Sequence, residues 1–214
     1  MIVLLGGEKG GSGKSCLAQN LAVWLQRQGR DVLILDADPQ KTTSEWVSER
    51  NKTGDLPPFS ATAHSGDLRV YLADAKKRYQ DIVVDAGGAD SESMRSAMLV
   101  ATHMLIPFRP KRRDLKTLPS VEDMVRNAKM LNPGLIARAV ITQAPALPSQ
   151  GQRILDSKET CDSFGIRSLQ AFTTARNVYD DAEENGSSVL EAGTDSKAIE
   201  EIELIARELF AECM

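Results

Sequence analysis

The chain has 214 residues and a formal net charge of −4, with 42% hydrophobic, 26% charged and 5% aromatic residues. This size and composition suit one globular domain with a substantial core, and they exclude collagen-like, mucin-like and disordered chains. No apolar run approaches the roughly 18 residues of a membrane-spanning helix and no secretory signal is present, so we expect a cytoplasmic protein.

Apolar runs alternate with helical patterns along the chain. Strands are predicted in five places: 2–5, 32–35, 82–84, 104–108 and 137–142. Two weaker strand candidates follow the same pattern: 59–63 and 168–172. Apolar spacing predicts three helices: 15–28, 115–130 and one that begins near Asp195. Because parallel strands need helical crossovers, this order predicts one α/β domain over 1–214, with a mostly parallel, twisted sheet and helices on both faces.

A glycine-rich segment joins the first strand to the first helix. It reads Lys9-Gly10-Gly11-Ser12-Gly13-Lys14-Ser15-Cys16. Glycines permit a tight loop whose backbone N–H groups turn inward, and the start of the following helix adds partial positive charge. Lys14 can neutralise the β- and γ-phosphates, and the Ser15 hydroxyl can ligate Mg²⁺. The segment is therefore predicted to bind a nucleoside triphosphate.

A second lysine precedes these glycines. Lys9 stands beside Glu8, which occupies the first glycine position of the usual GxxxxGK[ST] pattern. A lysine at this place cannot easily fold onto the phosphates of its own loop, but it can reach a nucleotide bound by a facing subunit. We therefore expect a homodimer when ATP is bound. The alternative is a surface lysine without a partner.

Carboxylates follow two of the predicted strands. Asp36 and Asp38 come at the end of the second strand, and Asp85 ends the third. Carboxylates at the C-terminal ends of parallel strands lie beside the phosphate loop, where Mg²⁺ and an attacking water must be held. For each residue taken alone, the alternative is a helix cap or a surface acid.

These features together resemble the ParA and MinD ATPases with a deviant phosphate loop, and among them the small plasmid-partition proteins. The shared features are the KGGxGKS loop, the segment 36–40 (DADPQ) and the strand ending in Asp85. The resemblance covers almost the whole chain. It implies an α/β P-loop NTPase domain and an ATPase that uses ATP and Mg²⁺. The short segment ahead of the loop leaves no room for the N-terminal helix-turn-helix domain of larger relatives.

The resemblance also implies roles for individual residues. Lys9 would act across the dimer interface, Lys14 would bind phosphate, and Asp38 would orient or deprotonate water. Asp36 and Asp85 would hold the waters bound to a metal that Ser15 ligates. After Asp85, Gly87 and Gly88 stand where relatives often have a Thr-Pro-Pro run.

A basic cluster follows the fifth predicted strand: Arg109, Lys111, Arg112, Arg113 and Lys116. Such a cluster favours non-specific DNA binding, because phosphate neutralisation supplies most of its free energy. Four further arginines are candidates to extend it: Arg138, Arg153, Arg167 and Arg176. The alternative is a solvated surface, or a loop paired with residues 180–214, which hold eleven acidic and two basic residues.

We therefore expect a DNA-partition ATPase with a ParB-like centromere-binding partner, associated with the nucleoid in the cytoplasm. One alternative is a MinD-like or sibling ATPase that positions a cellular assembly. Membrane attachment is not expected, because the predicted C-terminal helix is acidic. The other alternative is a metabolic enzyme like dethiobiotin synthetase. The three cysteines, Cys16, Cys161 and Cys213, lack zinc-site spacing and are expected to be reduced.

Overall fold

The computed structural model describes residues 1–88 and 91–211, so Cys213 lies outside the described residues. The strands are β1 (Ile2–Leu5), β2 (Val32–Ala37), β3 (Ser60–Ala63), β4 (Asp81–Ala86), β5 (His103–Phe108), β6 (Ile136–Ala144) and β7 (Ser168–Thr174). The helices are α1 (Lys14–Arg27), α2 (Thr42–Thr53), α3 (Arg69–Ala75), α4 (Glu92–Met98), α5 (Arg112–Leu115), α6 (Leu118–Leu131), α7 (Gly151–Ser163), α8 (Val178–Glu183), α9 (Val189–Ala192) and α10 (Ser196–Leu209).

The strands form one sheet in the order β3-β2-β4-β1-β5-β6-β7, and every neighbouring pair is parallel. In this register Leu5 of β1 pairs with Asp85 of β4, and Asp36 of β2 pairs with the same Asp85. The ends of these three strands therefore meet at one edge of the sheet. The phosphate loop and the predicted carboxylates follow directly from that edge.

Two apolar cores cover the two faces of the sheet. On one face β1, β4 and β5 pack against α3, α4, α6 and α7. On the other face they pack against α1, α2, α9 and α10. Strands β1, β2, β4 and β5 are buried along their whole length, as expected for central parallel strands. The predicted α/β class, with helices on both faces, is confirmed.

The helix predicted over 115–130 is present as α6 but begins later than predicted, and Leu115 belongs to a separate short helix. Helix α5 ends at Leu115 and α6 begins at Leu118, with Pro119 in its first turn. A continuous helix would need an N–H at Pro119, which proline lacks, whereas proline fits well at a helix start. Of the basic cluster, only Arg112 and Arg113 lie within α5; Lys111 and Lys116 are its N-cap and C-cap residues, and Arg109 precedes it.

The C-terminal helix covers the edge of the sheet beside β7. Asp195 caps α10 by accepting from the N–H groups of Lys197 (2.9 Å) and Ala198 (3.2 Å), so the helix begins where it is predicted. Its apolar stripe is buried.

Two carboxylates of α10 bind the edge strand β7 through four hydrogen bonds. Glu208 accepts from the N–H groups of Gln170 (2.7 Å) and Ala171 (2.9 Å). Glu201 accepts from the N–H (3.1 Å) and the hydroxyl (2.7 Å) of Thr174.

None of the helices in the described part of the chain combines the length and the apolar character needed to cross a bilayer.

Candidate nucleotide site

The glycine-rich segment forms a tight turn between β1 and α1. Gly11 (φ 68°) and Gly13 (φ 91°) adopt left-handed conformations that other residues rarely tolerate. Gly13 is also the N-cap of α1, and no described side chain caps this helix start. Its first backbone N–H groups are therefore available to an anion, as a phosphate-binding loop requires.

The end of β6 holds this loop from the side. The Thr142 hydroxyl donates to the carbonyl oxygen of Ser12 (2.7 Å), and the Gln143 side-chain amide donates to that of Gly11 (3.0 Å). Within the loop, the Ser12 hydroxyl donates to the Lys9 carbonyl (3.2 Å). These bonds fix the loop in shape, which prepares it to bind a ligand without further ordering.

The two lysines of the loop have different environments. The Lys14 side chain is 6% exposed, and its ammonium donates to the Lys9 carbonyl oxygen at 2.8 Å. Burial lowers the pKa of Lys14, and the negative charges of Asp85 and Asp38 oppose that shift. Lys9, in contrast, is exposed. The structure thus directs one lysine into the loop and leaves the other at the surface.

Asp36 shapes the turn that carries Asp38. One oxygen of the buried Asp36 carboxylate accepts from the backbone N–H of Asp38 (3.0 Å), and the other accepts from that of Ser44 (2.7 Å). Asp38 in turn accepts from the backbone N–H of Gln40 (2.9 Å). Asp36 therefore fixes both the Asp38 turn and the start of α2.

Asp85 is buried beside Ser15. The Thr43 hydroxyl donates to Asp85 Oδ2 (2.7 Å), whereas Oδ1 has no hydrogen bond with any described residue. Burial raises the pKa of Asp85 to about 6; the hydrogen bond from Thr43 opposes this shift, and the charges of Asp36 and Asp38 add to it. Thr43 was not singled out from the sequence, although it links α2 to this carboxylate.

These oxygens fit a hydrated Mg²⁺ better than a protein-only metal cage. Nowhere in residues 1–88 and 91–211 do three His, Cys, Asp or Glu side chains come together as metal ligands. Mg²⁺ keeps several waters and takes the rest of its ligands from phosphates and a few protein oxygens. The unpartnered Asp85 Oδ1 is suited to accept from a metal-bound water, and the Ser15 hydroxyl is the adjacent direct ligand.

The two glycines after β4 bring three loops together. A Cβ atom on Gly88 would lie 3.0 Å from the Gly10 nitrogen and 3.1 Å from the Lys9 carbonyl carbon. A Cβ atom on Gly87 would lie 3.3 Å from Pro39 Cδ. Glycine at position 88 therefore lets the segment after β4 lie against the backbone of the phosphate loop, where a larger residue would press on Gly10.

A cavity of about 620 Å³ lies against the loop. Its walls include Lys14, Asp38, Gly88, Thr142 and the segment 173–177, which comprises the end of β7 and the residues after it. The volume lies within the range of small-molecule and cofactor sites. Residues from both ends of the chain meet here, and the cavity can hold a nucleotide with its phosphates on the loop.

Helix α8 adds an acidic side chain that sequence reasoning did not find. Glu183 hydrogen-bonds with the thiol of Cys16, the last residue of the predicted loop. Burial and the nearby charge of Asp180 raise the pKa of Glu183 to about 7. Burial and the charge of Glu183 also raise the pKa of Cys16, so its thiol stays protonated.

The predicted basic cluster divides into two parts. Arg109 forms a 2.7 Å ion pair with Asp114, and the Asp114 side chain is 2% exposed. The guanidinium of Arg109 lies near the phosphate loop: a Cβ atom built on Gly11 would be 3.7 Å from it. The remaining four side chains are exposed: Lys111, Arg112, Arg113 and Lys116. Within the described residues none of these four pairs with the acidic C-terminal segment.

Comparisons with known proteins identify the family of this chain. The model of the CobQ/CobB/MinD/ParA nucleotide binding domain matches residues 3–195. The chain is 28% identical over 204 residues to Maintenance of carboxysome distribution protein A from Halothiobacillus neapolitanus, which covers 94% of this chain and 92% of that protein. It is 24% identical over 216 residues to Protein ParA from Rhizobium radiobacter, with 98% and 96% covered.

The fold is also shared with the cell division ATPase MinD from Pyrococcus furiosus. The TM-score is 0.76 at 18% identity, and the likeness covers 99% of each chain. The family match spans nearly all of the sheet, the phosphate loop and the segments that carry Asp38 and Gly88. The chain therefore belongs to the CobQ/CobB/MinD/ParA nucleotide-binding family, as the resemblance of its phosphate loop predicts.

Proposed function

We propose that this chain is an ATP-dependent dimerisation switch that hydrolyses ATP, binds DNA non-specifically and partitions or positions a large cargo. The observation that carries the proposal is the contrast between the two lysines of the loop. Lys14 is buried and bonded within the loop, whereas Lys9 is exposed ahead of the glycines. A relative of nearly the same length is named for maintaining carboxysome distribution, which supports a role in positioning.

The loop residues bind the triphosphate in this proposal. The N–H groups at the start of α1 and the ammonium of Lys14 contact the phosphate oxygens. The residues that would hold Mg²⁺ are Ser15, directly, and Asp36 and Asp85, through water; the ion would supply positive charge that neutralises the phosphate oxygens. The existing bonds of Asp36 to the backbone keep its carboxylate in place for that role.

Asp38 positions the attacking water. It lines the cavity beside the loop, and its turn is fixed by Asp36. One of its oxygens accepts from Gln40, and the other can accept a hydrogen bond from water next to the γ-phosphate. The contact between Gly87 and the Asp38 turn lets the segment after β4 respond when the γ-phosphate is lost.

Dimerisation connects ATP to DNA. Lys9 reaches the nucleotide of a facing copy, so that two copies join only when both hold ATP. The dimer carries two basic surfaces, and two weak DNA contacts then act as one stronger contact through effective concentration. A ParB-like partner would stimulate hydrolysis, release the dimer and free the DNA. This cycle places the protein on the nucleoid in the cytoplasm.

Membrane attachment through the last helix is not part of the proposal. Most apolar side chains of α10 are buried on the protein itself, among them Ile202 and Ile205, whereas Leu204 is 47% exposed. Its exposed charged residues are of both signs, Glu200 beside Lys197 and Arg207, so it lacks the strongly basic face that anionic lipid attracts. Attachment of the MinD kind would need this helix to leave the sheet.

Co-sedimentation with duplex DNA tests the proposal. The protein is mixed with DNA in the presence of ATP, ADP or no nucleotide, and the bound fraction is sedimented. Light scattering of the protein alone under the same nucleotide conditions gives its oligomeric mass. We expect a dimer and DNA binding with ATP alone. Equal DNA binding with ATP, with ADP and without nucleotide would contradict the switch. The absence of DNA binding under all three conditions would favour a metabolic enzyme. Anionic vesicles sedimented under the same conditions test the MinD-like alternative.

A further inference from the structure

A basic groove lies between α5 and α7, outside the nucleotide cavity. It has a volume of about 660 Å³, with Lys111, Arg112 and Lys116 on one wall and Arg153 on the other. We propose that this groove, defined by these four residues, binds the phosphate backbone of duplex DNA. The inference rests on the proposed function. Of the four arginines that could extend the basic cluster, it selects Arg153 of α7, and it leaves Arg109 out of the surface.

The spacing along each wall gives the groove its direction. On α7 the lining residues are Arg153, Asp156, Ser157 and Thr160, which share one face of the helix at the i, i+3, i+4 and i+7 positions. On the opposite wall the lining residues lie between 110 and 116. Arg153 on α7 therefore lies across the groove from the cations of the 110–116 segment.

The charges in this groove lack the carboxylate partners found elsewhere. Exposed arginines on other helices form ion pairs with nearby acids: Arg69 with Asp67 (2.6 Å), Arg126 with Glu122 (2.7 Å) and Arg207 with Glu203 (2.8 Å). Within the described residues, Lys111, Arg112 and Lys116 have no such pair, and Arg153 makes a single 3.5 Å hydrogen bond to Gln150. Their positive potential is thus available to a polyanion.

Two neighbouring residues set the limits of the groove. Arg109 belongs to the predicted cluster but does not line the groove, because Asp114 holds its guanidinium near Gly11. Asp156 does line it, and its carboxylate accepts from the Gln152 side-chain amide at 2.8 Å. A negative charge inside the groove opposes phosphate binding, so Asp156 keeps the interaction weak.

The lining favours duplex backbone over unpaired bases. The described residues along both walls include no aromatic side chain. Single-stranded nucleic acid is held mainly by bases stacked on aromatic rings, whereas backbone binding needs only cations and hydroxyl groups. The Thr160 hydroxyl donates to the Asp156 carbonyl (2.6 Å), so the four cations provide the phosphate contacts.

The test compares two arginines that differ in their surroundings. Arg153→Ala removes a cation from the groove, and Arg126→Ala removes one from α6, where it is paired with acids. Fluorescence anisotropy with a labelled duplex is measured with ATP at several salt concentrations. We expect Arg153→Ala to weaken binding about tenfold and to reduce the slope of log K against log salt by about 1 for each groove that contacts DNA. Arg126→Ala should behave like the parent.

A second variant predicts the opposite change. Asp156→Asn removes the negative charge from the groove, so it should tighten DNA binding and steepen the salt dependence. Equal effects of Arg153→Ala and Arg126→Ala, or weaker binding by Asp156→Asn, would overturn the groove assignment. Matching unfolding temperatures of the variants show that each one folds.

The outcomes separate this inference from the proposed function. If the parent binds duplex DNA only with ATP and the groove variants bind equally well, the function stands and the groove is wrong. If the parent does not bind duplex DNA, both are wrong. Tighter binding of the parent to anionic vesicles than to the duplex would also overturn the assignment of DNA as the occupant.

Discussion

The ammonium of Lys14 donates a 2.8 Å hydrogen bond to the carbonyl oxygen of Lys9, so the two lysines of the phosphate loop are joined through the backbone of one and the side chain of the other. This bond holds the buried charge of Lys14 inside the loop. It leaves the Lys9 side chain outside, because the contact uses only the Lys9 carbonyl. Replacement of Lys14 and replacement of Lys9 should therefore impair different steps, nucleotide binding in the first case and dimerisation in the second.

Lys14→Ala should abolish tight nucleotide binding. The variant loses charge-assisted hydrogen bonds to phosphate, each of which contributes about 1.5–3 kcal/mol, so affinity should fall about 100-fold or more. Titration with a fluorescent ATP analogue measures the change. Binding at the affinity of the parent would refute the assignment of this loop to phosphate.

Lys9→Ala should preserve nucleotide binding by the single chain but prevent dimerisation with ATP. Loss of one partner of a buried interfacial charge pair costs about 2–5 kcal/mol, which weakens the dimer at least about 30-fold. Light scattering with ATP gives the mass. Lys52→Ala, which alters an exposed lysine on α2, is the matched control and should dimerise normally. A Lys9→Ala variant that also dimerises normally would refute the intermolecular role.

Asp38→Ala should slow ATP hydrolysis by about 10²–10⁴-fold while leaving ATP bound. The variant retains the loop and Lys9, so the dimer should form and persist. Phosphate release measures turnover, and gel filtration follows the dimer over time. Asp55→Ala, which removes an exposed carboxylate after α2, serves as the control. Normal turnover by Asp38→Ala would remove its catalytic role.

Gly88→Ala should destabilise the nucleotide-free protein by about 1–3 kcal/mol, because the added methyl group would press on the backbone of Gly10. Gly10→Ala is the matched control, since a Cβ there meets no described atom within 4 Å. Denaturant unfolding of both variants gives the difference. Equal stability of the two would contradict the close contact between the segment after β4 and the phosphate loop.

Glu183→Gln should change how stability depends on pH. Folding raises the pKa of Glu183 to about 7 from an ordinary value of 4.5, so between these values the folded chain binds a proton that the unfolded chain has lost. This group therefore contributes a stability that falls as the pH rises through that window. The neutral glutamine lacks this loss, and the variant should gain in unfolding temperature relative to the parent at pH 8 more than at pH 5.

The matched change at an exposed neighbour, Glu184→Gln, should show no such pH-dependent gain. Both variants remove one carboxylate from the same stretch of chain. The comparison therefore distinguishes an effect of burial at Glu183 from a general effect of removing one negative charge. A pH-independent difference between Glu183→Gln and the parent would place the titration elsewhere.

The phosphate loop could be predicted because its determinants are adjacent in the chain. Glycines at fixed spacing, a lysine and a hydroxyl between a strand and a helix leave few other structures for residues 9–16. Asp36 and Asp85 followed from a second local rule, since each comes at the end of an apolar strand. The parallel register then brings them together.

Other features depend on contacts that no local pattern records. Helix α2 was not predicted, because its buried positions include Arg50 and Thr43 beside Trp46 and Val47. Arg50 is 0% exposed and pairs with Glu191 at 2.6 Å, a distant partner without which an arginine would not be buried.

Helix α7 was missed for a similar reason. Its buried face includes Ser157 and Lys158 beside Ile154 and Cys161, so polar residues obscure the apolar spacing. Since the helix itself could not be placed from the sequence, neither could the direction of Arg153. The same holds for Glu183, whose contact with Cys16 joins opposite ends of the chain.

The carboxylates of Glu201 and Glu208 occupy hydrogen-bond donors on the outer side of β7, where another molecule could otherwise add a strand. An incoming chain would have to expel both side chains before it could extend the sheet at that border. Addition of a strand at this border would therefore cost the three hydrogen bonds that the backbone N–H groups of Gln170, Ala171 and Thr174 donate to α10.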